Sequence, residues 1–216
     1  MKNVETIIPE HKVGVQKDTI EVMPCKTEAE ALALFQLARL RMLDVNCWGE
    51  LCHGLSSDFM LHNGDGIHVK RPVTVGDYIR IDIPGPGGKA GKGYDWVYVV
   101  AIEHHEKPGA EWTLMQVKPA SNPLINTAET AHFLDAQASS TFVVARERQV
   151  VRAEVHARNE MVNTDASGTR DKIRNMVISW GAWLGFADMQ WNKLAAALIK
   201  TDENPASIAI IRNINP

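Results

Sequence analysis

Two hydrophobic periods divide the chain. Between Glu28 and Val45 apolar residues recur three and four apart, at Ala31, Leu34, Phe35, Ala38, Met42 and Val45, which is the stripe of an amphipathic helix. Leu32, Leu37, Leu40 and Leu43 widen that stripe until little polar surface is left, so the helix is predicted to be mostly buried. Thr27 followed by Glu30 gives it a capping box, a hydroxyl and a carboxylate satisfying two free amides at the helix start. From Ser56 onward the period falls to two. Ile79, Ile81 and Ile83 alternate with Tyr78, Arg80 and Asp82, the pattern of a half-buried strand. The predicted strands are Thr19–Met23, stopped by Pro24, then Asp58–His62, Tyr78–Ile83, Tyr94–His104, Trp112–Lys118, Thr141–Arg146 and Val150–Asn159. Strands this short and this closely spaced predict an antiparallel meander, with Arg146 to Gln149 turning the last two into a hairpin. The piece Glu129–Asp135 reads equally as helical turns or as loop.

After Ser167, Gly168 and Thr169 the helical period returns, with Ile173, Met176, Val177, Trp180, Leu184, Ala187, Trp191, Leu194 and Leu198 on one stripe. About thirty residues of helix would be roughly 45 Å long, enough to cross a sheet. Gly181 and Gly185 inside it point to a bend or a close approach. After Pro205, Ser207 to Ile211 could add a strand. The predicted fold is α+β: an antiparallel sheet of about six to seven strands packed on a long C-terminal helix. Residues 1–18 form an N-terminal arm, residues 19–205 one domain, and residues 206–216 a strand-like tail. The order of elements resembles the helix-grip topology, in which a sheet wraps a C-terminal helix around an apolar pocket. That is a likeness of topology, and a fold does not by itself assign a function.

Composition narrows the class. The chain has 216 residues, 45% of them hydrophobic, which suits one large domain or two small ones. The formal net charge of −3 gives no electrostatic reason for nucleic acid or an anionic membrane. The basic residues from Arg146 to Arg174 are interleaved with Glu147, Glu154, Glu160, Asp165 and Asp171, so no stripe of one sign forms. Residues 1–18 lack the apolar run of a signal peptide, and no window reaches the ~18 apolar residues of a membrane span. Cys25, Cys47 and Cys52 are an odd three, not a disulfide framework. A soluble cytoplasmic protein is expected.

Candidate chemistry is sparse. The glycine-rich run Gly85 to Gly93 would need a following helix, and a Ser or Thr after its Lys, to cradle phosphate. Lys89 is followed by Ala90, and a strand follows Gly93, so the run reads as a hairpin loop. As a flap it would offer Lys89 and Lys92 to an anion. Cys47, Cys52 and His53 lack zinc spacing and a fourth ligand. His104 and His105 point to opposite faces of a strand. Asp58, His62 and His68 flank the turn Asn63 to Gly66, which lacks the acidic repeat of a calcium loop. Glu129 and His132 share a face only if their segment is helical. No metal and no cofactor are expected, and no nucleophile stands out. Cys47 and Cys52 lie near a helix end, where the dipole raises a thiol pKa.

The row Arg152, Glu154, His156 and Arg158 occupies one face of the last strand, with Glu160 following. Such a row is ordinarily a solvated sheet face joined by cross-strand ion pairs. If it lined a pocket instead, His156 could act as acid or base beside Glu154 and Arg158.

Two functional readings of different class follow. In the first, sheet and closing helix enclose a pocket for a small apolar molecule, lined by Trp96, Trp180, Trp183 and Trp191 with His156 and Arg158. Against it, tryptophans at helical spacing are ordinarily core, and a ligand site should hold ~300 Å³ or more. In the second, Ile7-Ile8 and Ile208 to Ile211 add strands to a partner or a sister subunit. An enzyme using the same pocket is a third reading.

Overall fold

The computed structural model describes residues 7–52, 57–82, 91–125, 130–132, 134–161 and 189–201. Seven strands form one antiparallel sheet: β1 (Val15–Pro24), β2 (Asp58–His62), β3 (Tyr78–Asp82), β4 (Asp95–Lys107), β5 (Ala110–Pro119), β6 (Ser139–Glu147) and β7 (Val150–Glu160). The spatial order is β1-β7-β6-β5-β4-β3-β2. Strands β2 to β7 are a meander of consecutive neighbours, and β1 closes the far edge beside β7. Between β1 and β2 come α1 (Glu28–Leu43), a 3₁₀ turn (Val45–Cys47) and the short α2 (Trp48–Leu51). Residues 189–198 form the C-terminal helix, α3. This is the helix-grip order of elements.

The strand starts and ends depart modestly from the pattern. β1 begins at Val15 rather than Thr19, and β4 runs on to Lys107, because hydrogen-bonded pairing extends beyond the alternating apolar core of each strand. The hairpin between β6 and β7 turns at Arg148, which takes a positive φ of 50°. Residues 130–132, 134 and 135 are not helical, so His132 is placed by a loop. The start of the closing helix, Trp180, Trp183, Gly181 and Gly185, most of the glycine-rich run with Lys89, and Ile208 to Ile211 lie outside the described residues.

α1 is capped as its sequence implies, with one change. The Thr27 hydroxyl accepts from the Glu30 amide at 3.1 Å, but the Glu30 carboxylate accepts from Lys26 at 2.9 Å rather than from Thr27. The helix is also less buried than its leucine content suggests. Ala31, Leu34, Phe35, Ala38, Arg41 and Met42 are buried, whereas Leu32, Leu37, Leu40 and Leu43 are only half-buried. They lie on the flanks of the helix as it crosses β6 and β7. The buried charge, Arg41, has a structural partner. Its guanidinium donates to the carbonyls of Ala197, Leu198 and Lys200 at 3.2, 3.0 and 2.7 Å. A cation on the terminal carbonyls of α3 satisfies acceptors that the helix cannot, at the negative end of its dipole.

The sheet has two buried faces. On the inner face, where the helices lie, Phe59, Leu61, Ile79, Val97, Val99, Met115, Val117, Phe142, Val144, Ala153 and Val155 pack with α1, Trp48, Leu194 and Leu198. On the outer face Leu114, Val143 and Ala145 form a smaller cluster, against which Ile7 and Trp112 pack. Among the described residues no helix is long and apolar enough to cross a membrane.

Candidate functional site

Where α3 meets the inner face, the packing leaves a cavity. It is lined by Trp48, Phe59, Ile79, Ile81, Val97, Val117, Leu134, Phe142 and Trp191, with Ser57, His132, Ser140, Glu160 and Gln190 as its polar groups. Its apolar walls follow from the alternation read in the sequence. Phe59, Ile79, Val97, Val117 and Phe142 are inward positions of five neighbouring strands. The rings of Trp48, Phe59, Phe142 and Trp191 meet in a cluster, with centroids 5.2 Å apart for Trp48–Phe59, 5.1 Å for Trp48–Phe142 and 5.4 Å for Phe142–Trp191. Edge-on and tilted contacts of this kind are favourable in themselves. Ser57 donates to the Gln190 side chain at 3.2 Å, tying α3 to the start of β2.

The cavity holds about 50 Å³, several times what one water needs but well short of the ~300 Å³ expected of a ligand site. Close packing of the four rings is the reason. The free space suits a molecule of a few heavy atoms.

Glu160 is the unusual group. Simple alternation along β7 would put it on the outer face with Arg152, Glu154, His156 and Arg158. A bulge intervenes: Lys17 pairs with Ala157, yet Val15 pairs with Glu160, and Asn159 takes a φ of 56°. One extra residue in the strand reverses the facing of everything beyond it, and Glu160 turns into the cavity. The bulge is held from outside. The Asn159 side-chain oxygen accepts from Lys12 and Val13 at 2.7 and 3.2 Å, and its amide donates to the Glu10 carbonyl at 3.2 Å. Gly14, at φ 75°, lets this segment pass so close to Glu160 that a Cβ would collide with the Glu160 carbonyl. Glu160 is 4% exposed, and its side chain has no hydrogen bond or ion pair among the described residues. Burial pushes its carboxyl up to about 7, with Lys17 pulling weakly the other way. His132, by contrast, is held below the ordinary histidine pKa by burial, against the raising influence of Asp95. Its Nδ1 accepts from the Leu134 amide at 2.9 Å, which leaves the ring neutral.

The sequence-derived candidates separate. Trp191 lines the cavity. Trp96 is 1% exposed on the opposite side of the sheet, paired across from Arg80 and edge-on to His62 at 5.0 Å. His156 and Arg158 also lie on the outer face, where His156 is paired with Thr141. Three of that row's four residues are buried rather than solvated, Glu154, His156 and Arg158 at 8%, 5% and 7% exposed, while Arg152 is exposed. His156 bridges two carboxylates, Nδ1 to Asp18 at 2.6 Å and Nε2 to Glu154 at 2.8 Å, while Arg158 reaches the same Asp18 oxygen at 2.6 Å. Burial opposes the charged ring, but the bonds to Glu154 and Asp18 outweigh it and raise the pKa of His156. Lys92 lies at an exposed turn with φ 54°. Trp180, Trp183 and Lys89 are not among the described residues.

The remaining titratable groups offer no second centre. Among the described residues no three His, Cys, Asp or Glu side chains come together as a metal would require. Asn63 organises the turn after β2 through its side-chain oxygen, which accepts from Asp65 and Ile67 at 3.1 and 2.9 Å. Burial, with help from Asp44, pushes the Cys47 thiol up to about 11, and burial does the same to Cys52 despite nearby Lys193, so neither is a ready thiolate.

Sequence reasoning did not place Glu160, His132, Ser140, Gln190 or Trp48 on the pocket. Of these, only Glu160 had a local signal, the Asn159 before it, since Asn adopts positive φ more readily than most residues.

No family model matches the chain, and no curated protein matches it. Solved structures show a distant likeness. A hypothetical protein from Helicobacter pylori is 11% identical, over 91% of this chain and 94% of its own, with a TM-score of 0.46. Norcoclaurine synthase from Thalictrum flavum, solved with dopamine and hydroxybenzaldehyde, is 13% identical over 88% and 90%, with a TM-score of 0.35. A major latex-like protein from Panax ginseng is 11% identical over 82% and 97%, with a TM-score of 0.31.

Proposed function

We propose that the protein binds a small organic molecule in the cavity between the inner face of its sheet and α3. The observation that carries this is Glu160, a buried carboxyl delivered by a bulge into a mostly aromatic and aliphatic space. A purely structural core has no use for such a group, because burying an unpaired carboxyl is unfavourable. Convergence of a few polar groups on an apolar cavity is the ordinary anatomy of a ligand site. The small volume selects a molecule of a few heavy atoms, or one end of a longer one. His156 and Arg158, on the other face, support the sheet rather than the ligand.

Native mass spectrometry of the full chain, beside a denaturing run on the same sample, tests the reading. A small mass released on unfolding, and lost from a variant in which Phe142→Trp fills the cavity, is the expected result. A wild-type chain that gives only its own mass, and takes up no member of a small-fragment library, would contradict it.

The assembly reading has less support. Ile7, one of the apolar residues thought free to pair with a partner, packs on the outer face of its own sheet. Acid–base catalysis by Glu160 in the same cavity is a further step, for which a bound ligand is the precondition.

A further inference from the structure

The chemistry of the cavity goes further than its size, provided that it is a ligand site. Glu160 has two deficits there. Among the described residues its charge has no counter-ion within reach of a hydrogen bond, and its oxygens have no donor. None of the other polar groups supplies the charge: His132 is neutral with Nδ1 already accepting from Leu134, and Ser57, Ser140 and Gln190 are uncharged. Lys17, the cation of β1 that faces the same end of β7, lowers the carboxyl pKa through its charge. The walls are complementary to a cation as well. Trp48, Phe59, Phe142 and Trp191 crowd around the space, and aromatic faces attract positive charge, tryptophan most strongly.

We infer that the ligand is a small alkylammonium ion, its nitrogen on the Glu160 carboxylate and its alkyl groups against Trp48, Phe142 and Trp191. An ammonium supplies both the counter-charge and the donors that Glu160 lacks, and a charge-assisted hydrogen bond is about twice as strong as a neutral one. An anion would meet Glu160 with like charge. A neutral alcohol would supply a donor but no charge. A protonated Glu160 must release its proton to pair with the cation, so binding tightens as pH rises toward about 7 and then levels.

Calorimetric titration of the full chain with isobutylammonium chloride and with isobutanol, at pH 8, tests this on the wild type and on Glu160→Gln. The amide keeps the shape and removes the charge. The expected result is ammonium bound at least about tenfold more tightly than the alcohol, an advantage lost in Glu160→Gln. A cooperative thermal transition and a far-ultraviolet circular dichroism spectrum like the wild type's show that Glu160→Gln is folded, so that a lost ammonium preference reports the missing charge. Equal affinities for the two compounds, or an ammonium affinity untouched by Glu160→Gln, would overturn the ammonium assignment and leave the cavity as a neutral site. Failure of both compounds to bind either protein would overturn the assignment and the cavity reading together.

Discussion

Two buried acid–base groups of β7 make the stability of the protein fall as pH rises, in different windows. Glu160 has a folded pKa raised from an ordinary 4.5 to about 7. The folded state therefore holds its proton more tightly than the unfolded chain, and stability is lost between about pH 4.5 and 7. A shift of that size corresponds to about 3 kcal/mol. Glu160→Gln should flatten this part of the profile and raise the urea midpoint at pH 8, while leaving pH 4 nearly unchanged. His156 is also raised, so its contribution is complete below the unfolded pKa of about 6.5 and fades as pH climbs through the folded value. His156→Ala should lower stability at pH 6 by about 2 kcal/mol or more, because Asp18 and Glu154 lose their common donor. Ligand binding in the cavity should be unaffected. A loss of only a few tenths would mean that the bridge is not formed.

Among the elements, the sequence was most informative where period alone decides. The Thr27 cap, the apolar stripe of α1 and the alternation of β2, β3 and β7 each depend on neighbours a few residues apart, and the structure follows them. It was least informative where a distant partner decides. In the run from Arg152 to Glu160 only Asn159 itself hints that the alternation breaks, because the bulge is held by the backbone of Glu10, Lys12 and Val13, about 147 residues earlier in the chain. Gly14→Ala should therefore disturb Glu160 from across the sheet, lowering stability by at least about 1 kcal/mol through its positive φ and the clash with the Glu160 carbonyl. Nor does a buried arginine in a leucine-rich helix declare its purpose until the end of α3 is seen against it. Arg41→Met keeps the bulk and removes the donors from three carbonyls. It should cost roughly 2–3 kcal/mol in chemical denaturation. Hydrogen exchange should show the amides of residues 189–198 losing protection before those of the sheet.

At the scale of the molecule, the meander, the α+β class and the closing helix were legible because consecutive strands pair with their neighbours and leave one face for helices to cover. The site was legible only in outline. Trp191 lines the cavity, whereas the polar row with His156 and Arg158 lies on the other face of the sheet, and the carboxyl that does reach the cavity sits one bulge further along. Cavity volume was beyond sequence altogether, since it is set by how closely Trp48, Phe59, Phe142 and Trp191 meet. The account reduces to one claim, that a small molecule enters between sheet and α3 beside Glu160. A two-dimensional NMR titration of the isotope-labelled chain with isobutylammonium tests it most directly. Shifts centred on Ser140, Phe142, Glu160 and the Trp191 indole, with His156 and Arg158 unmoved, are the predicted result. Shifts gathered on the outer face around His156, or none at all, would contradict it.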